Sequence, residues 1–275
     1  MSAITRHSAG ELSYLACEGD DATPVVLLHG IGSNARSFEP LMHALEGRTR
    51  ALAWDAPGYG QSQPLIIAWP DASDYAARLR DLLDQLKIAR CALLGHSLGA
   101  LIAARFAFEA RDRVVALVLA SPALGYGVKK GDALPAPVAA RIEELDRLGS
   151  EKFAAARASG LLADPAARPD VLVSVMRAMA AVRRPGYDQA ARLLAGGRLL
   201  ENAAKLAVPT AVIVGVQDRI TPPDNVRRVF AALPESSRHS YREIENAGHA
   251  VCREQASEIA RAIAEFADHE ANAHA

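Results

Sequence analysis

Short apolar runs alternate with longer amphipathic segments along this chain of 275 residues. The runs are bounded by Gly, Pro or Asp and are nearly continuous, which is typical of strands covered on both faces of a sheet. The predicted strands are 24–29, 50–54, 91–95, 114–120 and 210–216. The predicted helices lie near 36–47, 73–87, 98–111, 222–233 and 250–267. This alternation predicts an α/β protein with a mostly parallel central sheet flanked by helices.

The predicted helix 73–87 has a clear start and a clear apolar face. Ser73 is a residue type that caps helix N-termini, and we predict it as the cap. Leu79, Leu82, Leu83 and Leu86 follow at helical spacing and form one stripe. The stripe predicts that this helix packs on the sheet.

The alternation stops between residues 122 and 207, where no strand signal occurs. A structureless loop of that length is not expected in a compact domain. Two amphipathic helix patterns lie there instead, namely Val138, Ile142, Leu145 and Leu148, and Leu172, Val175, Met176, Met179 and Val182. We therefore predict a core domain formed by 1–121 and 208–275, with 122–207 inserted between two strands as a helical cap over the carboxyl edge of the sheet.

Composition excludes several classes of partner. The chain has 31 basic and 32 acidic side chains, so it offers no excess positive charge for nucleic acid or an anionic membrane. Cys17, Cys91 and Cys252 are too few and too scattered for a disulfide framework or a zinc site. The first residues lack the apolar core of a signal peptide, and no run approaches the length of a membrane span. We expect a cytoplasmic protein, monomeric or homodimeric, with a small-molecule substrate and neither metal nor cofactor.

The motif Gly95-His96-Ser97-Leu98-Gly99 lies between a predicted buried strand and a helix. Its two glycines permit a tight turn that exposes the central side chain at the end of the sheet. The N–H groups at the start of the following helix point to the place where an oxyanion would form. The motif predicts Ser97 as a nucleophile.

With this motif the sequence resembles the α/β-hydrolase fold family over nearly its whole length, and most of all its 3-oxoadipate enol-lactonases and small bacterial carboxylesterases. In that family an acid and then a histidine follow the nucleophile along the chain. Asp218 follows the late strand 210–216, and His249 ends the stretch Ile-Glu-Asn-Ala-Gly-His. The resemblance implies a triad in which His249 is the base for Ser97 and Asp218 orients His249.

The resemblance also implies an oxyanion hole made of two backbone N–H groups. One belongs to Leu98, directly after the nucleophile, and we assign the other to Ile31 in the loop that His29-Gly30 opens. For the remaining polar residues near these motifs we favour structural roles: His29 binding loop backbone, His96 packed with its ring directed away, and Cys252 a buried thiol. Asp55 and Asp224 are rival acids, but neither ends the strand that precedes the His249 loop.

Residues of the predicted cap are candidates for contact with substrate. Met176 and Met179 are either core packing or a pliable roof over the pocket, since thioethers adapt to varied ligands. Arg177, Arg183 and Arg184 are either surface charges, the more usual state of arginine, or anchors for a substrate carboxylate.

A competing pattern is the stretch Gly30-Ile-Gly32-Ser-Asn-Ala35, which follows a strand and precedes a helix, with Asp55 at the end of the next strand. This is the outline of a dinucleotide fingerprint. The helix is predicted to begin nearer Ser37, and a dinucleotide site leaves Ser97, Asp218 and His249 without a role. We therefore favour the hydrolase.

The predicted reaction is hydrolysis of a small ester, lactone or thioester through an acyl-enzyme on Ser97. The haloalkane dehalogenases and epoxide hydrolases that resemble the chain use Asp at that position, and the proline iminopeptidases usually carry His-Gly-Gly-Pro-Gly, which is absent. A C–C bond hydrolase of ring-fission products, or a lyase, remains open on the same triad, although Gly-His-Ser departs from the Gly-Asn-Ser form common in such hydrolases. A binding protein without activity is disfavoured by the intact triad.

Overall fold

One sheet of eight strands forms the centre of the protein. The computed structural model describes residues 4–19 and 23–273; residues 1–3, 20–22 and 274–275, which the predicted core domain includes, lie outside the described residues. The strands are β1 (Thr5–Ala9), β2 (Leu12–Cys17), β3 (Val25–Leu28), β4 (Ala51–Trp54), β5 (Cys91–His96), β6 (Val114–Ala120), β7 (Thr210–Gly215) and β8 (Arg238–Ile244). Their order across the sheet is β1-β2-β4-β3-β5-β6-β7-β8. The strands from β4 to β8 are parallel, which confirms the mostly parallel sheet.

Strands β1 and β2 were not predicted, and they are antiparallel. β1 reads Thr-Arg-His-Ser-Ala and is largely exposed, so it has no apolar run to reveal it. β2 is buried throughout, but Ser13 and Tyr14 interrupt its apolar pattern. β8, at the other edge, is likewise polar. The strands that the apolar pattern found are therefore the five adjacent strands from β4 to β7.

Each of the five predicted helices is present, with bounds that differ by a few residues. They are α1 (Glu39–Leu45), α2 (Ala72–Gln85), α3 (Leu98–Glu109), α8 (Pro223–Ala232) and the last one, which divides at Gln255 into α9 (Val251–Glu254) and α10 (Ala256–Ala273). A short 3-10 turn, Ala35–Phe38, precedes α1. None of the helices within the described ranges is long and apolar enough to cross a bilayer.

The N-cap of α2 is Asp71, and the prediction of Ser73 was wrong. The Asp71 carboxylate accepts hydrogen bonds from the N–H groups of Ser73 and Asp74 at 2.8 and 3.2 Å. The Asp74 side chain accepts from the Asp71 N–H in return, which completes a capping box. Asp71 is the cap because it has the extended backbone that an N-cap requires, whereas Ser73 is already within the helix.

Four helices and no strand lie between β6 and β7. They are α4 (Ala136–Arg157, interrupted at Gly149), α5 (Pro169–Ala180), α6 (Gly186–Gly196) and α7 (Leu199–Ala203). We call residues 122–207 the cap segment; its status as a separate domain stays a prediction. Its buried side chains, including Val138 and Phe153, join the same apolar cluster as the inner face of α3.

Two apolar layers cover the faces of the sheet. One contains the inner residues of α2, α3 and α8, and the other those of α1 and α10. Because β3, β5, β7 and β8 are parallel, their carboxyl ends meet at one edge. Ser97 follows β5, Asp218 follows β7 and His249 follows β8, so the sheet itself brings these residues to that edge.

Candidate active site

Ser97 forms a strained turn between β5 and α3. Its backbone has φ 54° and ψ −115°, a conformation that residues with a side chain rarely adopt. The turn requires the two glycines of the motif. A Cβ added to Gly95 would lie 2.6 Å from the Gly99 carbonyl oxygen, and one added to Gly99 would lie 2.1 Å from the Leu28 carbonyl oxygen. The close approach of α3 to β3 therefore fixes where the Ser97 hydroxyl stands.

Ser97, His249 and Asp218 form one hydrogen-bonded chain. The Ser97 Oγ lies 3.0 Å from His249 Nε2, and His249 Nδ1 lies 3.0 Å from Asp218 Oδ2. A carboxylate only accepts, so Nδ1 carries the imidazole proton and Nε2 is left to accept from the serine hydroxyl. All three residues are buried. The arrangement allows His249 to remove the Ser97 proton.

Asp218 is held in its ionised state. Burial acts to raise its pKa, but His249 and the hydrogen bonds from Thr221 outweigh it and lower the pKa to about 2. Its Oδ1 accepts from the N–H groups of Ile220 and Thr221, at 2.8 and 2.9 Å, and its Oδ2 accepts from the Thr221 hydroxyl at 2.8 Å. Sequence reasoning missed Thr221. The signal was present, because an Asp followed by a turn commonly binds the N–H groups two and three residues on.

His96 supports the loop that carries His249. Its Nε2 donates to the His249 carbonyl oxygen at 2.7 Å, and the two rings lie 5.0 Å apart. Burial, together with the nearby His249, lowers the pKa of His96 to about 3, so its ring is neutral near pH 7. A structural role was predicted, but the ring is not directed away from the site: it contacts His249.

The two N–H groups predicted for the oxyanion hole belong to residues near Ser97. Leu98 is the first residue of α3, so its N–H has no acceptor within the helix. Ile31 lines the same cavities as Ser97, and a Cβ added to the preceding Gly30 would lie 2.9 Å from the Ser97 Cβ. The backbone at Gly30 and Ile31 thus packs directly against the serine.

His29 fixes the peptide that joins Gly30 to Ile31. The Ala56 N–H donates to His29 Nε2 at 3.0 Å, so the proton of the neutral ring is on Nδ1. That Nδ1 donates to the Gly30 carbonyl oxygen at 2.8 Å. Burial lowers the pKa of His29 and keeps the ring neutral. In a trans peptide the N–H of Ile31 points opposite to the Gly30 carbonyl, so His29 directs this N–H away from itself.

Asp55 has a structural role, so it is neither the acid of the triad nor part of a dinucleotide site. Its buried carboxylate pairs with Arg6 and accepts from the Ser13 hydroxyl at 2.7 Å and the Ala35 N–H at 2.9 Å. The carboxylate is completely buried, so a ribose cannot reach it. The loop after Gly32 leads into a 3-10 turn, whereas the dinucleotide fingerprint requires an α-helix N-terminus at the pyrophosphate.

The acid and arginine candidates that remain lie outside the site, whereas Cys252 lines a small cavity beside Ser97. Asp224 is exposed and pairs with Arg227. Arg183 donates to the Gly60 carbonyl, Arg184 pairs with Asp146 and Asp188, and Arg177 is exposed on α5. Cys252 is buried, and burial raises the pKa of its thiol to about 12, so it stays protonated.

Two cavities open on Ser97. The wide cavity has a volume of about 480 Å³ and the small cavity about 40 Å³, and both are lined by Ile31, Gly32, Ser97, Leu161, Met179 and His249. Of the two methionines singled out in the sequence, Met179 lines both cavities and Met176 lines neither. Sequence reasoning missed Arg141 and Arg157 in the wide cavity and Arg253 in the small one, since nothing in a linear pattern marks which arginines turn inward.

Glu254 joins the cap segment to the loop of His249. Its Oε1 accepts from the Ala163 N–H and its Oε2 from the Gly248 N–H, both at 2.8 Å. Burial raises the pKa of this carboxyl group, against the effect of the two N–H groups. Gly248 directly precedes His249, so the carboxylate fixes the approach to the imidazole.

The sheet order, the strained serine turn and the position of the three polar residues define the chain as an α/β-hydrolase. The sequence model of the family described as "Serine aminopeptidase, S33" matches residues 20–256. The chain therefore belongs to this hydrolase family.

The proteins similar to this chain include a hydrolase, an esterase and a lactonase. A 2-hydroxy-6-oxononadienedioate/2-hydroxy-6-oxononatrienedioate hydrolase of Pseudomonas putida is 30% identical over 91% of this chain and 90% of its own length. A pimeloyl-[acyl-carrier protein] methyl ester esterase of Aliivibrio salmonicida is 28% identical over 86% of this chain and 88% of its own. The solved enol-lactonase of Burkholderia xenovorans superimposes with a TM-score of 0.82 at 21% identity, covering 96% of this chain and 100% of the other; at that identity the likeness shows the fold alone.

Proposed function

We propose that the chain is a serine hydrolase that cleaves a small carboxylic ester, lactone or thioester. The observation that carries the proposal is the continuous path from Ser97 Oγ to His249 Nε2 and from His249 Nδ1 to Asp218, with 3.0 Å at each step. Such a path makes an alcohol nucleophilic at neutral pH because the proton has a basic nitrogen to go to.

In this mechanism the Ser97 oxygen attacks the carbonyl carbon while its proton passes to His249 Nε2. Asp218, ionised and hydrogen-bonded, stabilises the imidazolium that results. The N–H groups of Leu98 and Ile31 would bind the oxyanion. His249 then gives its proton to the leaving oxygen as the ester bond breaks, and a water molecule deprotonated by His249 releases the acyl group from Ser97.

The cap segment would form the roof of this site and select the substrate. Helix α5 supplies Met179, and α4 supplies Arg141 and Arg157 to the wide cavity. Pockets built in this way recognise a substrate by shape and by a few placed polar groups. We propose that a small molecule enters between the cap segment and the sheet edge.

Hydrolysis of a C–C bond in a ring-fission product is the second candidate. The identity of 30% to the Pseudomonas putida hydrolase favours it. The same serine, histidine and acid serve both reactions, so the choice depends on the substrate that the two cavities accept.

The test is a panel of p-nitrophenyl esters, enol-lactones and ring-fission dienones. Hydrolysis of an ester or lactone should fall at least about 10³-fold in Ser97→Ala, because the nucleophile is removed. Ser236→Ala, at an exposed serine, is the matched control and should keep full activity. Turnover of dienones alone would assign the second candidate, and ester turnover that survives in Ser97→Ala would exclude the proposed mechanism.

A further inference from the structure

Ser97 lies where the wide cavity and the small cavity meet. An ester has two parts, the acyl group and the alcohol, and a nucleophile between two cavities receives one part in each. A cavity needs about 10–15 Å³ to hold one water molecule, so the small cavity, at about 40 Å³, has room for only a few non-hydrogen atoms. The small cavity therefore suits a short group, and the wide cavity the bulkier one.

Arg253 lines the small cavity and is almost completely buried, with 9% of its surface exposed. Its Nη1 donates to the Ser174 hydroxyl at 2.8 Å and its Nη2 to the Ser37 hydroxyl at 2.7 Å. Both partners are neutral. Within the part of the chain that the structure describes, no Asp or Glu forms an ion pair with its guanidinium; Glu39 acts on it only over a longer distance.

Burying a cation without an acidic partner costs free energy, because burial removes the water that solvates the charge and no anion takes its place. Burial lowers the pKa of Arg253 to about 10, only partly opposed by Glu39 and Cys252. The side chain is still charged at pH 7. A guanidinium has five N–H groups, and the two serines accept from two of them.

The two arginines of the wide cavity are not buried cations without a partner. Arg157 pairs with Glu144 at 2.7 Å. Arg141 is partly exposed, so water solvates its charge. Of the three arginines that line the two cavities, Arg253 alone is buried without an acidic partner, so an anionic ligand would stabilise its charge.

We propose that Arg253 binds a carboxylate of the substrate and that the acyl group is that of a short dicarboxylic acid. The inference rests on the proposed ester hydrolysis and narrows its substrate class to half-esters. The free carboxylate would occupy the small cavity, and the alcohol portion the wide cavity. A planar guanidinium is suited to carboxylates, which accept two parallel hydrogen bonds from it. Ser33 and Ser37 line the same cavity, and because their hydroxyls bind each other, one of the two protons is left as a further donor.

The experiment compares two esters of the same shape. Monomethyl succinate carries a carboxylate, and methyl 4-methylpentanoate carries an isopropyl group in its place. We expect the unmodified chain to prefer monomethyl succinate, measured as kcat/KM by acid release. In Arg253→Gln the ratio of the two kcat/KM values should fall about tenfold or more, mainly through a higher KM for the succinate ester.

Two control variants separate recognition from structure. Arg177→Gln removes an exposed arginine from α5, the helix that carries Ser174, and should leave the ratio and both activities unchanged. Ser174→Ala removes one hydrogen bond of Arg253 but keeps its charge, and it should keep the preference for succinate. An equal loss on both esters in Arg253→Gln, or a preference for the isopropyl ester in the unmodified chain, would overturn the inference.

A binding measurement keeps this test independent of the proposed reaction. Monomethyl succinate should bind Ser97→Ala in calorimetry, and adding Arg253→Gln should weaken the affinity about tenfold or more. If no ester is hydrolysed and this loss of affinity is still found, the proposed function fails and the carboxylate site stands. If the affinity is the same in both variants, the carboxylate site fails.

Discussion

His249 is held by bonds to its ring and to its backbone, and the two serve different purposes. Asp218 binds the ring and so determines which nitrogen faces Ser97. His96 binds the carbonyl oxygen of the same residue and so determines where the ring stands. Residue type alone does not reveal these roles of Asp218 and His96. An aspartate or a neutral histidine close to a nucleophilic serine is also chemically able to act as its base.

Replacing His96 tests the backbone contact. His96→Ala removes the donor to the His249 carbonyl, and we expect kcat to fall about tenfold, the value of one hydrogen bond. His96→Gln retains a donor of similar reach and should recover most of the loss. The pH profile of kcat should be the same in all three proteins, because His96 is neutral far above its pKa of about 3. A shifted profile would mean that His96 takes part in proton transfer.

The depressed pKa of Asp218 predicts a specific dependence of stability on pH. The folded state lowers this pKa from 3.8 to about 2, so the carboxylate stabilises the fold fully above pH 4 and loses its effect as the pH falls from about 4 to 2. The contribution is about 2 kcal/mol. The free energy of unfolding should therefore fall more steeply below pH 4 in the unmodified chain than in Asp218→Asn. Asp224→Asn, at an exposed acid, should behave as the unmodified chain, and parallel curves for all three would contradict the assignment.

Among single residues, the sequence was sufficient to predict the site side chains that follow a strand of the sheet. Ser97, Asp218 and His249 each follow a strand, and parallel strands bring their ends together whatever lies between them. Glu254 was not predicted because its partners are the backbone N–H groups of Ala163 and Gly248. Every residue except proline has such a group, so the sequence does not mark which ones are bound.

Among the elements, helix α2 shows how local electrostatics sets a boundary. Asp71 and Asp74 bind each other's N–H groups across the first turn, and Ser73 is the second residue of the helix. A serine and an aspartate are both good caps, so the choice depends on which backbone is extended, and the sequence leaves that open.

The pair Asp71 and Ser73 provides a direct test. Asp71→Ala should lower the free energy of unfolding by about 1 kcal/mol, because two N–H groups lose their acceptor. Ser73→Ala should change it by only a few tenths of that amount, since its hydroxyl makes one exposed contact with Glu109. Chemical denaturation measures both. A larger loss in Ser73→Ala would restore serine as the cap.

The strands also divide into those that the sequence predicts and those that it does not. The five adjacent strands from β4 to β7 were predicted because two covered faces demand apolar residues at nearly every position. β1 and β8 lie at the edges, where one side of the strand has no neighbour and solvent tolerates Arg, His and Glu. Their polar composition is compatible with a loop, and only the pairing with β2 and β7 distinguishes the two.

For the molecule as a whole, the cap segment supplies part of the lining of both cavities at Ser97. Its helical content was predictable from spacing, but its orientation was not, because several faces of α4 and α5 are partly apolar. Met179 and Met176 illustrate this. They lie three residues apart on α5, and only Met179 reaches the cavities.

Chain-length preference should therefore respond to one methionine and not to the other. Met179→Ala enlarges both cavities, and we expect kcat/KM for a p-nitrophenyl octanoate, relative to the butanoate, to rise roughly tenfold. Met176→Ala, the matched control, should leave this ratio unchanged. Equal responses would show that α5 affects the site only through its overall packing.

The carboxylate of Glu254 binds two N–H groups that belong to different parts of the chain. A movement of the cap segment that carries Ala163 away strips one buried oxygen of its partner, at a cost of about 1–3 kcal/mol. It also leaves the carboxylate free to turn, which weakens its hold on Gly248 and hence on the position of His249. Movement of the cap segment and loss of order at His249 would then be thermodynamically linked, so a ligand that holds the cap segment against Glu254 would also hold His249 in place.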